Sequence, residues 1–380
     1  MKLMKSGKSA TTKKKSYRNL LIAYFFLFLA LSSFFVENRE KPVLNWIEPD
    51  LHVYQDLSNK ISEGKIPILD FRLDAYPIAL SVIVMLLSPV SRSFELFSLG
   101  FGLITAAFAT ATVFLLLKIS DSLQVEKKRI IFFALSPTLL IFNWARFDII
   151  PVFFLLLSLY AFLRSRNRLA GIFSAVGALF KMFPLSLAAA DFLSSRKFFL
   201  TAILLFLLIN APFFLLNYDN AVYSFFFSVS RDANPDSLFG LLQSRFSLNP
   251  TSLALISFAI LIFSLLFVKL KARIVELTFA LIVIVIATSI RFSPQWIVWM
   301  VPLLVLTKIN PAFILLLDLV NVLVFPFLYA TFPAFDLFIV LRHAFMFLAL
   351  YKLNLINPNM RENLQLLKQV VFRRKGFKLW

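Results

Sequence analysis

The chain has 380 residues, 60% of them hydrophobic, and a formal charge of +19. This composition excludes an ordinary soluble domain, for which about 45–50% apolar residues are usual. Cysteine is absent and only two histidines are present, which argues against disulfides, thiolate metal sites and a histidine-rich metal centre. The basic residues lie in short loops and tails between apolar runs, which indicates a membrane protein oriented by anionic lipid rather than a nucleic-acid-binding protein.

The chain begins with a basic segment, residues 1–18, which is expected to be a flexible cytoplasmic tail. No small-residue cleavage site follows the apolar run at residues 20–36, so this run is predicted to be an uncleaved first membrane span. We predict an all-α, multi-pass membrane domain over residues 19–352, followed by a second basic cytoplasmic tail over residues 353–380.

The first long loop, residues 37–75, is polar and is predicted to lie outside the cytoplasm. Apolar residues recur at helical spacing from Leu51 to Ile61, which predicts an amphipathic helix that lies on the membrane surface and ends at Gly64. The stretch from Pro49 to Pro77 carries five of the chain's twenty acidic residues, Asp50, Asp56, Glu63, Asp70 and Asp74. A membrane protein that concentrates carboxylates in one early loop is expected to use at least one of them.

Apolar segments follow one another to the end of the domain, and several reach the ~20 residues that a helix needs to cross hydrocarbon. They lie near residues 20–36, 76–90, 94–117, 130–143, 147–163, 169–181, 185–193, 198–216, 251–268, 273–290, 295–308, 311–330 and 337–352. Basic loops and tails place both chain ends in the cytoplasm, which requires an even number of crossings. We therefore predict about 12 crossings, with one short or re-entrant element between residues 76 and 117.

This topology gathers the remaining polar features on the non-cytoplasmic face. The two long loops, residues 37–75 and 217–250, lie on that face, together with the turns at residues 143–148, 181–184 and 291–294. Because the charged residues that are candidates for a site fall there, outside the basic cytoplasmic loops, the sequence predicts an active site on that face.

Several motifs in this order resemble a known group of enzymes. They are Asp50, Val53–Tyr54, Gly64, Pro67 and Tyr76–Pro77, then Arg146-Phe-Asp148 with Pro151, Ala170–Gly171, Lys181-Met-Phe-Pro184, Asn210-Ala-Pro-Phe213, Arg231, Ser237, Ser293-Pro-Gln-Trp-Ile-Val-Trp299 and Pro302. The sequence thereby resembles the polytopic glycosyltransferases of the GT-C superfamily. Within it the chain is most similar to the polyprenol-phosphate-mannose-dependent mannosyltransferases, glycosyltransferase family 87, with the first mannosyltransferase of GPI-anchor synthesis as a neighbouring family.

The resemblance implies a GT-C fold and the transfer of mannose, or another hexose, from a polyprenyl-phosphate donor such as dolichyl phosphate-mannose to a lipid-linked or glycan acceptor, with inversion. It implies no metal or other cofactor, and a location in the plasma membrane of a prokaryote or the endoplasmic reticulum of a eukaryote. Asp50 is expected to be the general base. The expected phosphate-binding residues are Lys181, Arg291, Arg231 and Arg146, and the expected sugar- or acceptor-binding residues are Tyr54, Gln295, Trp296 and Asp148. Some bacterial relatives carry histidine where this chain has Gln295 or Trp296, so Asp50 is expected to act without a second titrating group.

The residue types alone leave simpler interpretations open. Asp50 follows Pro49 and would also suit the N-cap of the predicted helix. Lys181 could extend out of its apolar run to water, and Arg291 could anchor a span at the membrane interface. Asp148 could simply pair with Arg146.

Other side chains have similar alternatives. Asp70 and Asp74 fit loop charges that pair with Arg72 or order the turn into the next span, and Asp56 fits a solvated position. Trp144 fits an interfacial aromatic belt. His343 fits a packed position or a cavity wall.

Two other classes of function also remain open. A secondary transporter or lipid flippase would show two similar halves with broken spans at matching positions. No internal repeat is evident here, and two long polar loops on one face favour the enzyme. A non-catalytic membrane scaffold would give Lys181 no role.

Overall fold

The computed structural model describes most of the chain, apart from both termini and a few short stretches. The described residues are 6–41, 44, 47–73, 76–192, 196–227, 232–329 and 334–371. They form eighteen α-helices and no β-strand, which confirms the all-α prediction.

The helices follow one another through short turns. They are α1 Ser6–Glu37, α2 Pro49–Ser62, α3 Leu80–Leu86, α4 Phe94–Leu123, α5 Ile131–Ala134, α6 Pro137–Phe142, α7 Ile149–Leu163, α8 Asn167–Ala178, α9 Leu185–Asp191, α10 Arg196–Leu216, α11 Tyr218–Phe226, α12 Leu238–Phe246, α13 Pro250–Leu265, α14 Ile274–Ala287, α15 Ile297–Val305, α16 Pro311–Val322, α17 Ala334–Lys352 and α18 Met360–Val371. A 3₁₀ turn, Pro294–Trp296, leads directly into α15.

Within the described part of the chain, four helices are long and apolar enough to cross a bilayer. These are α1 from Tyr17, α4, α10 and α17. Five shorter apolar helical segments accompany them, Ile149–Leu163, Pro250–Leu265, Ile274–Ala287, Pro294–Val305 and Pro311–Phe327. The chain is therefore suited to a membrane, while the count of about 12 crossings stays a prediction. The region expected to hold a short element contains α3, whose seven residues are too few to span hydrocarbon.

The interior is built around α15, in which every residue is buried. A helix that is apolar all round is stable only when other elements surround it, and α7, α14 and α16 pack against it. In contrast, α10 presents apolar side chains outward, with Leu204, Leu208 and Leu215 between 62% and 86% exposed. Leucines at such exposure suit contact with lipid, so α10 lies at the rim and α15 at the centre.

Helices occupy part of both basic end segments. The basic segment 1–18 is not a flexible tail throughout, because α1 begins at Ser6 and continues through it. The second basic tail, residues 353–380, contains α18. This helix is held in place by Asn363, whose Nδ2 donates to the carbonyl oxygens of Leu266 and Val268 at 2.7 Å.

The helix predicted in the first loop is present as α2, and Gly64 follows its end with φ of +85°. Its apolar face, however, does not rest on lipid. Leu51, Tyr54 and Leu57 are buried against the protein, and Ser58 Oγ donates to the Val84 carbonyl oxygen at 2.7 Å. Helices α3 and α4 therefore cover the face that lipid was expected to cover, while the position of α2 at the membrane surface stays a prediction.

The start of α12 packs closely against the turn that precedes it. Ser237 Oγ accepts from the Gly240 backbone nitrogen at 2.8 Å, which brings the turn before the helix against it. A Cβ at Gly240 would lie 2.1 Å from the Asn234 carbonyl oxygen. We expect Gly240→Ala to destabilise the protein by about 1–3 kcal/mol or more, because backbone must move. The measurement is thermal unfolding in detergent.

Gly64→Ala is the matched control for this substitution. A Cβ at Gly64 would meet nothing within 4 Å, so only its positive φ opposes the change. We expect a loss of roughly 1 kcal/mol. Equal losses for the two variants would contradict the close packing described at Gly240.

Candidate functional site

Asp50, Lys181 and Arg291 line one cavity of about 460 Å³. Its walls come from the start of α2, the turn between α8 and α9, α10, and the segment that joins α14 to α15. This volume lies within the roughly 300–1,000 Å³ typical of small-molecule sites. Among the described residues that line the cavity, these three side chains carry the charge, one carboxylate against two cations. The cavity is therefore suited to an anionic ligand.

Asp50 is the second residue of α2, and the residue at the N-cap position is Glu48. The interpretation of Asp50 as an N-cap is therefore wrong. In the first helical turn its carboxylate is favoured by the helix dipole. Arg146 Nη1 pairs with Asp50 Oδ2, and the Tyr54 hydroxyl lies 3.5 Å from the same oxygen. Both contacts are made by Oδ2, and they fix the orientation of the carboxylate. Oδ1 takes part in neither contact.

Arg146 lies in the turn between α6 and α7, with 11% of its side chain exposed. Burial lowers the pKa of the guanidinium to about 10, and Asp148 opposes that shift. Arg146 therefore stays cationic at neutral pH. Its ion-pair contact is with Asp50, so the expected pairing with Asp148 is not the one observed. Arg146 lies behind the cavity wall and does not line the cavity.

Lys181 is held by a carboxylate and by aromatic rings. Its Nζ lies 3.4 Å from Asp148 Oδ1 and 5.0 Å from the centre of the Phe147 ring. The rings of Trp299 and Trp296 are 5.8 Å and 6.0 Å away. Asp148 and the three rings hold the ammonium in the cavity wall. Lys181 therefore does not extend out to water, as the simpler interpretation would have it.

Three aromatic rings stack beside Lys181. The Phe183 and Trp299 centroids are 4.1 Å apart at an interplanar angle of 12°, and those of Trp299 and Trp296 are 4.6 Å apart at 21°. All three residues line the cavity. Offset stacks of this kind present a flat apolar surface, so the wall beside the cations can accept an apolar ring face of a ligand.

The two tryptophans differ in their hydrogen bonds, and this difference is testable. Trp299 Nε1 donates to Asp148 Oδ1 at 2.8 Å. Trp296 Nε1 has no hydrogen-bond partner within the described part of the chain. We expect Trp299→Phe to lower the free energy of unfolding by about 1.5–3 kcal/mol more than Trp296→Phe, because only the first removes a bond to a buried carboxylate. Thermal unfolding of both variants measures the difference, and equal losses would contradict this role of Trp299.

Arg291 and Gln295 reach the cavity from the segment between α14 and α15. The Arg291 backbone nitrogen donates to Ser289 Oγ at 3.1 Å. Gln295 is buried and lies in the 3₁₀ turn that leads into α15. The segment from Arg291 to Trp299 therefore brings a cation, an amide and the indole of Trp296 to one wall.

Some predicted residues do not line the cavity. Tyr54 and Asp148 lie behind it and contact Asp50 and Lys181, respectively. Burial raises the pKa of the Tyr54 phenol above its usual range, so it remains a neutral hydroxyl. Arg231 lies outside the described residues, as does Asp74.

The other polar candidates have structural partners. Asp70 Oδ2 accepts from the Ile66 backbone nitrogen at 2.7 Å, so it orders a turn. Asp56 pairs with Lys60 at 2.7 Å. Trp144 is 1% exposed and stacks on Phe35, so the prediction that it belongs to an interfacial belt is wrong.

Arg72 and His343 also have partners within the protein. Arg72 Nε donates to Asn220 Oδ1 at 3.2 Å, so it does not pair with Asp70. His343 is buried, as expected, with Nδ1 2.8 Å from the Ile339 carbonyl oxygen.

Two asparagines were missed as site residues. Asn210 and Asn234 both line the cavity. Asn210 interrupts the apolar sequence of α10, and an amide within an apolar helix is a usable signal. Asn234 lies in a polar loop, where an asparagine carries no such signal. Its Nδ2 donates to the Phe292 carbonyl oxygen at 2.7 Å, a contact that joins residues far apart in the chain.

Comparisons with family models, with curated proteins and with solved structures found no match for this chain. Its function is therefore inferred from the composition, the cavity and the motif resemblance.

Proposed function

We propose that this chain is a membrane glycosyltransferase that moves a hexose, in the first instance mannose, from a polyprenyl-phosphate donor to a hydroxyl of a lipid-linked or glycan acceptor. One observation carries the proposal: Asp50, Lys181 and Arg291 line the same cavity, beside stacked tryptophans. A base, a pair of cations for a phosphate and a flat apolar wall are what such a transfer needs.

The reaction needs one general base. The acceptor hydroxyl gives its proton to Asp50 as its oxygen forms a bond to the anomeric carbon. The bond from that carbon to the phosphate oxygen breaks, and its electron pair leaves with the polyprenyl phosphate. Attack opposite the leaving group inverts the anomeric configuration, by the logic of inverting glycosidases. Because phosphate is a stable anion, no group has to protonate it.

The surroundings of Asp50 suit this role. Arg146 and Tyr54 both contact Oδ2 and orient the carboxylate. The side chain is still 29% exposed, so an acceptor hydroxyl has access to it. A base held within hydrogen-bond reach of its proton contributes typically 10²–10⁴-fold to rate.

The cations suit the leaving phosphate. Lys181 is a point charge held by Asp148 and aromatic rings. Arg291 can contact two phosphate oxygens through its planar guanidinium. Together they neutralise the charge of a monophosphate, so the proposal requires no metal ion.

An apolar groove beside the cavity suits the lipid part of the donor. It encloses about 420 Å³ along the outer side of α10 and shares Phe206, Asn210 and Phe214 with the cavity. Leu207 and Leu215, which also line it, are 55% and 86% exposed. A prenyl chain in this groove would leave its phosphate near the cations.

The proposal includes the finer topology implied by the resemblance. It holds that the chain has a GT-C fold with about 12 crossings, and that the cavity opens on the non-cytoplasmic face. Labelling of single introduced cysteines from either side of sealed vesicles would test the sidedness, since the chain has no cysteine of its own.

Purified protein incubated with radiolabelled polyprenyl-phosphate-mannose and a panel of lipid-linked and glycan acceptors tests the activity. Transfer of label to an acceptor, with release of polyprenyl phosphate, is the expected result. Movement of the lipid across reconstituted vesicles without sugar transfer would overturn the proposal in favour of a flippase.

A further inference from the structure

Arg342 lies within α17, one of the four long apolar helices of the described chain, and none of its surface is exposed. An arginine inside an apolar helix is costly unless its guanidinium is paired and hydrogen-bonded. Replacement of a buried ion pair by apolar residues is often neutral or stabilising, so stability alone is a weak reason for keeping one. Arg342 does not line the cavity and has no part in the proposed chemistry.

The guanidinium of Arg342 connects three separate parts of the chain. Nη1 donates to Asn321 Oδ1 of α16 at 3.0 Å and lies 3.7 Å from Asp236 Oδ2. Nη2 donates to the Asp236 carbonyl oxygen. The guanidinium carbon lies 3.8 Å from the centre of the Phe292 ring. Burial raises the pKa of the Asp236 carboxyl to about 6, and Arg342 opposes that shift.

These contacts converge on the segment from Arg291 to Trp299. Phe292 lies between Arg291 and Ser293, both of which line the cavity. Asn321 also donates, through Nδ2, to the Pro294 carbonyl oxygen at 2.9 Å. Pro294 immediately precedes the cavity residue Gln295, so one network contacts the residues on both sides of Ser293, through the Phe292 ring and the Pro294 carbonyl oxygen.

The same network holds the loop that faces that segment. Asp236 is two residues beyond Asn234, which lines the cavity. The Asn234 backbone nitrogen donates to the Ile290 carbonyl oxygen at 3.0 Å, and its Nδ2 donates to the Phe292 carbonyl oxygen. Hydrogen bonds thus join the loop that contains Asn234 to the segment that contains Phe292, and Arg342 contacts both.

We propose that Arg342 is a positioning residue that sets the placement of Arg291, Gln295 and Asn234 through its contacts with Phe292, Asn321 and Asp236. Displacement of a site by about 1 Å can cost on the order of 100-fold in rate. Loss of these contacts is therefore expected to weaken the interaction of the cavity with the donor phosphate. This consequence rests on the proposed glycosyl transfer, whereas the placement of the cavity wall can be measured without it.

A single introduced cysteine reports on the wall directly, because the natural chain has none. Ser293→Cys places a thiol at a cavity-lining position. We expect Arg342→Lys to change the rate at which a charged thiosulfonate modifies this thiol by about 10-fold or more, since lysine keeps the charge but cannot make the forked contacts. In the transfer assay the same variant is expected to raise KM for the donor.

Arg129→Lys is the matched control. Arg129 is also a structural arginine, whose Nε donates to the Val305 carbonyl oxygen at 3.0 Å at the opposite end of α15. We expect this variant to lower the thermal midpoint while leaving the modification rate of the cysteine at position 293 and the donor KM unchanged.

A double variant separates positioning from stability. Arg342→Met alone strands a buried carboxylate, whereas Arg342→Met with Asp236→Asn removes both charges and is expected to recover most of the thermal midpoint. The modification rate and the donor KM are expected to stay altered in the double variant.

Two results would overturn the proposal. One is a wild-type modification rate in Arg342→Lys. The other is recovery of the midpoint and of the modification rate together in the double variant, which would make Arg342 a purely structural residue. Absence of transfer by the wild-type protein would count against the proposed function alone, because the thiol measurement does not depend on it.

Discussion

Asp50→Asn is expected to reduce sugar transfer by about 10²–10⁴-fold, the usual contribution of a general base. Asparagine has nearly the same shape and can still contact Arg146 and Tyr54, but it cannot take up the proton of the acceptor. The Kd for the donor is expected to change little, because the phosphate is held by other side chains. Initial rates of label transfer, together with equilibrium binding of polyprenyl phosphate, measure the two effects separately.

Asp56→Asn is the matched control, since it makes the same chemical change in the same helix. Asp56 pairs with Lys60 and is 61% exposed, away from the cavity. We expect its transfer rate to equal that of the wild type. An Asp50→Asn variant that transferred sugar at the wild-type rate would rule out Asp50 as the base.

Lys181→Met is expected to raise the Kd for polyprenyl phosphate by about 10- to 100-fold, which corresponds to the loss of one charge-assisted contact. Methionine approximates the length of the lysine stem and keeps the contacts with Trp299 and Phe147, so the cavity retains its apolar wall. Equilibrium binding of radiolabelled polyprenyl phosphate, without any sugar, measures the effect.

Two further variants define what this result means. Lys65→Met removes an exposed lysine of the first loop, which pairs with Glu63 outside the cavity, and is expected to leave the Kd unchanged. Asp148→Asn removes the partner of Lys181 but keeps the cation, so it is expected to weaken binding less than Lys181→Met. If Lys181→Met bound the lipid phosphate as tightly as the wild type, Lys181 would have only a structural role.

The local features of the fold were accessible from sequence. Helical spacing and Gly64 predicted α2 and its end, and apolar runs located most of the long helices. Segments 130–143 and 185–193, which read as continuous apolar runs, contain only short helices. An apolar run shows that a segment is hydrophobic, but it does not show how long the helices within it are. Turns buried in protein can be as apolar as helices.

Motif order and topology predicted that Asp50 lies on one face with four cations. Two of these, Lys181 and Arg291, line one cavity with Asp50, whereas Arg146 lies behind its wall and Arg231 is outside the described residues. Their individual partners were not predictable. Arg146 pairs with Asp50, 96 positions away, while the nearer Asp148 contacts Lys181. Such pairings depend on how helices pack, and no spacing along the chain encodes them.

The N-cap alternative for Asp50 failed for a local reason. Aspartate near a helix start favours a cap, but Pro49 already occupies the first helical position, which moves Asp50 one step inward. Trp144 was misread because its amphipathic ring suits an interface as well as an interior. Its burial and its stacking on Phe35, which sequence does not give, distinguish the two.

The stacked indoles of Trp296 and Trp299 give the cavity an optical signature. Two chromophores 4.6 Å apart with ring planes inclined by 21° couple electronically, and the coupling depends on how the transition dipoles of the two indoles are oriented. A ligand that separates or tilts them would alter the circular dichroism of the indole bands. Because the Lys181 ammonium lies close to both rings, binding of an anion to it would shift the same bands. Occupancy of the cavity could thus be followed by circular dichroism, in unmodified protein and without a labelled substrate.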